Sequence, residues 1–525
     1  MSPPAVTPAD ASAPQPGAGR RPTWRETWRT LWDRRVLSLL FLGFSAGLPL
    51  LLIFSSLSLW LVEAGVERKA VTFFSWAALG YSFKFIWAPL VDRLPLPLLT
   101  AWLGRRRAYL LLAQLGVVVA IVGMASTDPA SGQASLTAMA LFAVLLGFMS
   151  ATQDIVIDAY RIEIAPPQQQ GVLSSAYIAG YRLGMIAAGA GALFLAAHWG
   201  STRESYQYEA WQQAYLVMAL AMGVGILTTL LVREPVVAPR ERQPSGAHAR
   251  LLAVFLCAVA AFVAVFWGWG QGVPSRPGGP LMALLAEGLR MALSLSAAFA
   301  VGAGLVRLGL ASREQARETW VMPVLDFFRR YGGRTAWLLL ALVGLYRISD
   351  IVLGVISNVF YQDTGFSKTE IAYAVKTFGV VISIVGGFLG GLLATRLGVM
   401  RSLFWGAVLA AATNLGFVAL AFAGHDLALM YAVVSADNLA AGFASAAFVA
   451  FLSSLTNVSF TAVQYAIFSS LMTLLPKTLG GYSGGMVDAL GYPGFFTLTA
   501  LMGLPVLLLV VLAGRRLEIR ERNAG

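Results

Sequence analysis

Residues 36–62 read VLSLLFLGFSAGLPLLLIFSSLSLWLV, a long apolar run without a charged side chain. About 20 apolar residues in helical form cross the hydrocarbon core of a bilayer, so this run is long enough to span it. Its residues do not alternate between apolar and polar types, as the strands of a membrane β-barrel do. The same pattern continues along the chain and predicts fourteen transmembrane helices, at about residues 36–62, 70–91, 107–126, 135–160, 171–197, 213–232, 251–270, 281–306, 335–361, 369–395, 401–423, 427–455, 460–478 and 491–514.

The composition of the whole chain indicates that lipid is its main solvent. Hydrophobic residues make up 58% of the chain and charged residues only 12%, whereas about a quarter of the residues of a soluble protein are charged. The net charge of +12 is typical of basic residues that collect in the cytoplasmic loops of membrane proteins, so we expect no nucleic-acid partner. The single cysteine, Cys257, allows no internal disulfide, and the three histidines have no metal-ligand spacing. We therefore expect neither a metal nor a cofactor.

Lysine and arginine are distributed very unequally between the two sets of predicted loops. If the N-terminus is cytoplasmic, the cytoplasmic segments hold 27 of these residues and the opposite side holds 6. Positively charged residues are enriched in cytoplasmic loops, so this asymmetry predicts that both termini lie in the cytoplasm. It also supports the number of spans, because one missed helix would disturb the alternation.

An internal repeat divides the chain into two halves. The first half contains Gly65-Val-Glu-Arg-Lys, a span, and then Pro89-Leu-Val-Asp-Arg93, and the second half contains Gly365-Phe-Ser-Lys-Thr, a span, and then Thr395-Arg-Leu-Gly398. Two six-helix bundles related in this parallel way resemble the major facilitator fold, and the two remaining spans are predicted to form a hairpin inserted between them. The predicted domains are a disordered or interfacial segment 1–35, an N-terminal bundle 36–232, cytoplasmic loops with the hairpin 233–333, a C-terminal bundle 334–514 and a cytoplasmic tail 515–525.

Eight charged side chains lie deep within the predicted spans, four of them acidic and four basic. A charge at the centre of a membrane helix costs roughly 2.5–3.5 kcal/mol, so such residues are expected to face a water-filled cavity or one another. We interpret this set as the polar lining of a central cavity. Its members are Lys84, Asp154, Asp158, Arg182, Arg347, Asp350, Lys376 and Asp437.

Asp154 and Asp158 are four residues apart, so both lie on one face of a helix, with Gln153 beside them. Two carboxylates on one face in a low dielectric repel each other, and one of them can therefore be neutral near pH 7. A carboxylate that exchanges its proton near neutral pH suits proton coupling. The alternative for Asp158 is a gate or an ion pair at the helix end, since it lies close to Arg161.

The other buried charges have both a substrate-binding and a structural interpretation. Arg347 and Asp350 are three residues apart and can form a local ion pair. Arg182 can hold a carboxylate through two hydrogen bonds, or it can pair with an aspartate of the preceding helix. Lys84 and Lys376 lie in the second helix of each half, and a lysine there can bind an anionic group or an aspartate. Tyr81 and Tyr181 lie near these charges, and aromatic rings such as theirs can stack on sugar rings.

A basic cluster in the loop between the second and third spans has a different character. In facilitators this loop stabilises one conformation through ion pairs and contacts with helix dipoles. We therefore predict a gate here rather than a substrate site. Its residues are Asp92, Arg93, Arg105, Arg106 and Arg107.

Several longer strings resemble the AmpG family of muropeptide permeases. The most specific are Gln153-Asp-Ile-Val-Ile-Asp158 and Gly180-Tyr-Arg-Leu-Gly-Met185. Others in the first half are Gly43-Phe-Ser-Ala-Gly-Leu-Pro49, Tyr81-Ser-Phe-Lys-Phe-Ile-Trp87 and Gly104-Arg-Arg-Arg107, and those in the second half are Leu345-Tyr-Arg-Ile-Ser-Asp350, Asp437-Asn-Leu439 and Ser459-Phe-Thr-Ala-Val-Gln-Tyr465. The resemblance covers the twelve core spans and adds Asp437, Asn438 and Gln464 to the predicted substrate site.

The resemblance implies a bacterial inner-membrane permease and not an enzyme. Its expected activity is the proton-driven import of anhydromuropeptides, which are N-acetylglucosaminyl-1,6-anhydro-N-acetylmuramyl sugars with or without peptide, from periplasm to cytoplasm by alternating access. This import serves peptidoglycan recycling and in some bacteria β-lactamase induction. The expected partners are the muropeptide, protons and the lipid bilayer, with the chain as a monomer.

Other functions remain open from the sequence. The same core can carry another organic anion or an acyl-CoA-like solute, and competition between the two ligand classes distinguishes these alternatives. A sensor on the same scaffold would bind ligand without transporting it. A membrane enzyme is disfavoured, because the chain has no His-Glu-x-x-His zinc motif and no obvious nucleophile–base pair.

Overall fold

The computed structural model describes residues 33–66, 81, 83–202, 205–236, 245–272, 280–480 and 482–524. Within these ranges all the regular structure is helical. This confirms the predicted all-α class, which is one of the two architectures that satisfy backbone hydrogen bonds inside a bilayer.

Thirteen helical segments in the described ranges are long and apolar enough to cross a membrane. Each coincides with one of the fourteen predicted spans. The remaining prediction, at 70–91, falls mostly on residues 67–80 and 82, outside the described ranges. The segments are Arg34–Glu63, Arg105–Ala125, Gln133–Glu163, Gln170–His198, Tyr208–Leu231, Gly246–Gly268, Leu289–Arg307, Gly333–Ser357, Tyr373–Leu397, Val399–Ala423, Leu427–Leu455, Val458–Lys477 and Ser483–Glu518.

Several of these segments are built from two or more consecutive helices. The first consists of Arg34–Ile53 and Ser55–Glu63, with Pro49 just before the break, and a proline inside a helix removes one backbone hydrogen bond. The helix Gly333–Leu345 is likewise followed, after a short break, by a second helix, Ile348–Asp363. Shorter helices between the spans include Ala88–Arg93, Leu99–Leu103, Arg313–Ala316 and Met322–Tyr331.

Glycine permits close helix contacts in both bundles. In the N-terminal bundle a Cβ added to Gly180 would lie 1.8 Å from the carbonyl oxygen of Leu40. In the C-terminal bundle a Cβ added to Gly442 would lie 2.1 Å from the carbonyl oxygen of Ser383. Membrane helices associate through such small residues, since hydrocarbon supplies no hydrophobic drive between them. These two contacts involve the helices that carry Arg182 and Asp437.

The two bundles meet along the helices Gln170–Ile186 and Gly379–Leu397. The hydroxyl of Ser175 donates to the carbonyl oxygen of Gly387 at 2.7 Å. A Cβ on Gly171 would lie 2.6 Å from the carbonyl oxygen of Gly391, so the backbones touch here. This contact brings residues from both halves to one central axis.

The hairpin between the bundles is formed by the helices Ser245–Gly272 and Pro280–Arg307. Only 11% and 6% of its two spanning windows are buried inside the protein, so its surface mostly faces outward. Arg290 donates from Nε to the carbonyl oxygen of Phe266 at 2.8 Å, and its guanidinium lies 3.7 Å from the centre of that ring. This charge is therefore used within the hairpin itself.

Candidate functional site

The first group of buried charges lies in the N-terminal bundle. Lys84 Nζ is 3.8 Å from Asp158 Oδ2, and Arg161 is 3.3 Å from the other carboxylate oxygen. The side chains of Lys84 and Asp158 are each only 8% exposed. Asp158 therefore has two cationic partners, and the sequence alternative of an ion pair at the helix end describes its contacts well.

Asp154 occupies a different position on the same helix face. It is 7% exposed and accepts a long hydrogen bond of 3.4 Å from the Tyr177 hydroxyl. It interacts electrostatically with Lys84 and Asp158. No cation lies within ion-pair distance of Asp154 among the described residues, so this carboxylate is buried with weaker compensation than Asp158.

The polar residues around Asp154 are Tyr81 and residues of the helices Arg34–Ile53, Gln133–Glu163 and Gln170–Ile186. The hydroxyls of Tyr81 and Ser150 are 2.5 Å apart. Tyr181 lies close enough to Asp154 to sense its charge. Gln153 is fully buried, and its Nε2 donates to the Ser45 hydroxyl at 3.1 Å. Within the described ranges its Oε1 has no hydrogen-bond partner.

The second group of charges lies in the C-terminal bundle. Arg347 Nε donates to Asp350 Oδ2 at 3.2 Å, which is the local pair that the sequence spacing allows. A second guanidinium nitrogen of Arg347 donates to the Ser445 hydroxyl at 2.8 Å. Asp437 interacts with both charges and forms a hydrogen bond with Thr413. The group therefore holds one arginine and two carboxylates.

Arg182 faces this second group from the N-terminal bundle. Its Nε is buried and has no hydrogen-bond partner among the residues that the structure describes. Its positive charge is close enough to Arg347 for the two to repel. Within the described ranges it forms no ion pair with Asp154 or Asp158, so the structural alternative for this residue finds no support. Two arginines from opposite bundles thus interact electrostatically, and among the described residues only Arg347 forms an ion pair with a carboxylate.

The remaining predicted substrate residues lie elsewhere or have other contacts. Asn438 Nδ2 donates to the carbonyl oxygen of Val434 one turn earlier, at 2.9 Å. Lys376 belongs to the π-helical stretch Ala372–Phe378, and its side chain lies outside the described part of the structure. Wide turns of this kind occur often at functional sites.

Gln464 does not join either group of charges. Its Nε2 donates to the Pro323 carbonyl oxygen at 2.8 Å and to Asp326 at 2.9 Å. Its Oε1 accepts from Arg330 at 2.9 Å and from the backbone N–H of Asn457 at 2.8 Å. The amide thus joins the connecting helix Met322–Tyr331 to the C-terminal bundle, and these contacts give no support to its predicted role in substrate binding.

The predicted gate residues meet the opposite bundle at one end of the protein, which we call the arginine-rich end. Arg106 is 1% exposed and lies 2.7 Å from Asp92 and 2.5 Å from Glu163. It also donates to the Thr461 hydroxyl of the C-terminal bundle at 3.2 Å. One buried guanidinium therefore connects two carboxylates of its own bundle with the other bundle.

Asp92 makes a further contact between the two bundles, next to that of Arg106. Its Oδ2 accepts from the backbone N–H of Val463 at 3.3 Å, in the first turn of the helix Thr461–Gly480. A carboxylate at the N-terminus of a helix is stabilised by the unpaired N–H groups and the helix dipole. This is the kind of contact that the gate prediction requires.

The other gate arginines contact different partners. Arg93 lies 2.7 Å from Glu318 in the connecting segment between the bundles. Arg105 donates to the Asp92 carbonyl oxygen at 2.9 Å, and Arg107 donates to the carbonyl oxygens of Thr229 and Leu230 at 3.0 and 2.7 Å. These contacts of Arg105 and Arg107 lie within the N-terminal bundle, so they support the network without crossing to the other half.

Two residues of this end were not predicted as site or gate residues, although Arg161 was named as a possible ion-pair partner of Asp158. Arg161 is fully buried, donates to Ser453 of the other bundle at 2.7 Å, and lies 5.1 Å from the Tyr465 ring centre. Glu163 is the second carboxylate of Arg106. The spacing of Asp158 and Arg161 by three residues was the signal that could have identified Arg161. In the described residues, no cluster of histidine, cysteine and carboxylate side chains has the arrangement of a metal site.

Comparisons with known proteins agree with this architecture. The family described as Major Facilitator Superfamily matches residues 70–345. The anhydromuropeptide permease of Escherichia coli is 31% identical over 496 residues, which cover 94% of this chain and 83% of that protein. The putative transporter AmpG 4 of Rickettsia felis is 28% identical over 487 residues, or 93% of this chain and 98% of that protein.

A solved structure shows the same fold at low sequence identity. The proton:xylose symporter XylE, bound to 6-bromo-6-deoxy-D-glucose, aligns with a TM-score of 0.55 and 14% identity over 92% of this chain and 94% of that chain. The helical architecture and the transporter relatives identify a membrane permease rather than an enzyme. The chain belongs to the major facilitator superfamily and, within it, to the AmpG family of muropeptide permeases.

Proposed function

We propose that this chain imports anhydromuropeptides together with protons across the bacterial inner membrane, from periplasm to cytoplasm. A relative with 31% identity is named as an anhydromuropeptide permease. Import of this kind would serve peptidoglycan recycling and, where an inducible enzyme is present, β-lactamase induction. The cytoplasmic location of both termini rests on the distribution of lysine and arginine.

The observation that carries the proposal is the pair of arginines from opposite bundles. In the part of the chain that the structure describes, a buried nitrogen of Arg182 has no hydrogen-bond partner, and its charge repels that of Arg347. A buried donor without a partner is unfavourable, and a carboxylate is the ligand that best satisfies a guanidinium. A muropeptide carries carboxylates on its lactyl or peptide portion, so this site suits an anionic ligand. Asp350 and Asp437 offer acceptors for its amide and hydroxyl groups.

Proton coupling is assigned to Asp154, with Asp158 as its neighbour. Asp154 is buried, is four residues from a second carboxylate, and has a weak hydrogen bond to Tyr177. Burial without a close cation favours the neutral form of a carboxyl group. Asp158 has two cationic partners, Lys84 and Arg161. The two carboxylates therefore have different environments, and Asp154 is the better proton carrier.

The contacts at the arginine-rich end support alternating access as the mechanism. In this structure Arg106, Asp92 and Arg161 connect the two bundles there. Release of substrate at that end requires these contacts to break, and they re-form when the bundles close. Packed interfaces between helices switch between two arrangements rather than deforming continuously.

Uptake into proteoliposomes tests the proposal. Labelled N-acetylglucosaminyl-anhydro-N-acetylmuramic acid should accumulate when the interior is made alkaline, and Asp154→Asn should abolish accumulation while retaining binding. Glu209→Gln, which changes an exposed carboxylate, is the matched control and should behave like the wild type. Uptake that does not depend on the pH gradient would contradict the proposed proton coupling. Preferred transport of acyl-CoA esters would show that the substrate is an acyl-CoA-like solute and not an anhydromuropeptide.

A further inference from the structure

A groove of about 950 Å³ opens at the arginine-rich end, away from both groups of central charges. It lies between the start of the helix Arg34–Ile53 and the end of the helix Gly223–Leu231. Arg34 and Arg233 line it together with apolar residues. The groove therefore has one cationic part and one apolar part.

The carboxylates near the groove are already engaged. Glu163 forms an ion pair with Arg106 and has no exposed side-chain surface. Glu234 accepts from the backbone N–H groups of Arg106 and Arg107 at 2.7 and 3.0 Å, where it caps the helix Arg105–Ala125. Neither carboxylate is available to neutralise a further arginine.

Two backbone carbonyl groups at the end of the helix Gly223–Leu231 already accept hydrogen bonds. Arg107 donates to the carbonyl oxygens of Thr229 and Leu230. Arg35, which also lines the groove, pairs with Asp33 at 2.7 Å. Within the residues described here, Arg34 and Arg233 form no ion pair, so their charges are the ones presented to a ligand.

The apolar part of the groove is formed by large side chains with substantial exposure. Phe41 is 47% exposed, Leu37 is 38% exposed and Leu231 is 75% exposed. Leu37 and Phe41 lie about one and two turns, respectively, inside the helix that begins at Arg34. Because that helix spans the membrane, these side chains lie on the hydrocarbon side of the two arginines.

We propose that this groove binds an anionic phospholipid. Its phosphate lies between Arg34 and Arg233, and an acyl chain follows Phe41 and Leu231 towards the membrane interior. Charge complementarity selects an anionic headgroup, since no available carboxylate of the described residues opposes the arginines. The apolar wall selects a lipid rather than a free anion, because inorganic phosphate gains nothing from contact with phenylalanine and leucine.

Native mass spectrometry of the full chain in detergent tests this assignment. The protein is equilibrated with equal amounts of phosphatidylglycerol and phosphatidylcholine, and the retained lipids are counted. The wild type should retain phosphatidylglycerol preferentially. Arg34→Gln with Arg233→Gln should lower this preference by about 30-fold, since each arginine near an anionic surface contributes about 1 kcal/mol. Phe41→Ser should weaken the retention of both lipids.

A control double variant with the same loss of charge separates the groove from a general effect. Arg334→Gln with Arg401→Gln removes two exposed arginines outside the groove and should retain the wild-type preference. Equal loss in both double variants would overturn the site, as would wild-type protein that does not distinguish the two lipids. Displacement of phosphatidylglycerol by millimolar inorganic phosphate would identify the ligand as a free anion and overturn the lipid assignment.

Discussion

Charged residues connect the two bundles at two levels, and the two levels differ in whether their arginines pair with a carboxylate. At the arginine-rich end, Arg106 and Arg161 each pair with a carboxylate of their own bundle and donate to a hydroxyl of the other bundle. In the middle of the spans, Arg182 faces Arg347 and has no carboxylate of its own among the described residues. An arginine that pairs with a carboxylate stabilises one conformation, whereas an arginine without an anion is suited to binding a ligand.

The largest expected effect comes from removing Arg106, the centre of the ion-pair network at the arginine-rich end. Arg106→Gln leaves Asp92 and Glu163 buried without their common cation. Removal of one partner from a buried ion pair costs about 3–5 kcal/mol, so the free energy of unfolding should fall by that order. The Tm of the purified protein in detergent measures it.

The control for this experiment is Arg334→Gln, which removes an exposed arginine and should leave the Tm nearly unchanged. Equal Tm values for wild type and Arg106→Gln would mean that the network does not stabilise this conformation. The comparison between the two levels would then lose its basis.

The second effect should appear in transport and not in stability. Arg182→Gln removes a charge that has no carboxylate to leave behind, so the Tm should stay the same or rise. A charged hydrogen bond contributes about 1.5–3 kcal/mol, so uptake at low substrate concentration should fall roughly 10- to 100-fold. Uptake rates and the Tm of the same preparation measure both quantities.

Arg347→Gln provides the matched comparison from the opposite bundle. It leaves Asp350 without its cation, at a side-chain exposure of 14%, so both uptake and the Tm should fall. An Arg182→Gln protein with normal uptake and a lower Tm would instead show that Arg182 has a structural role.

The membrane spans could be predicted from the sequence, because the length and apolar character of each run are local properties. All thirteen helical spans in the described ranges coincide with predictions. The ion pair of Arg347 and Asp350 could be predicted equally well, since a spacing of three residues in a helix places both side chains on one face.

Contacts between the bundles could not be predicted from the sequence. Arg161 and Ser453 are separated by 292 positions, and nothing in either local pattern indicates the other. Glu163 looks like an ordinary charge at the end of a span until Arg106 is placed beside it. Gln464 lies in a string that resembles the family, yet its contacts belong to the connecting helix. Such assignments depend on how two distant segments meet, which a single sequence does not specify.

The smallest effect concerns the connecting segment. Arg93 and Glu318 are 2.7 Å apart, but their side chains are 20% and 42% exposed. Ion pairs with this access to water contribute about 1 kcal/mol or less and are screened by salt. Glu318→Gln should therefore shift the balance between closed and open arginine-rich ends by no more than about fivefold.

Distances between spin labels at Trp102 and Arg401 measure this shift, after Cys257→Ser removes the native thiol. Trp102 is 73% exposed and lies in the N-terminal bundle, and Arg401 is exposed in the C-terminal bundle. The difference between wild type and Glu318→Gln should shrink as the salt concentration rises, because screening weakens the pair in the wild type. Arg106→Gln should open the same end more strongly and with little dependence on salt, since its partners are buried. If Glu318→Gln opened the end as far as Arg106→Gln, the connecting segment and not the buried arginine would hold the two bundles together.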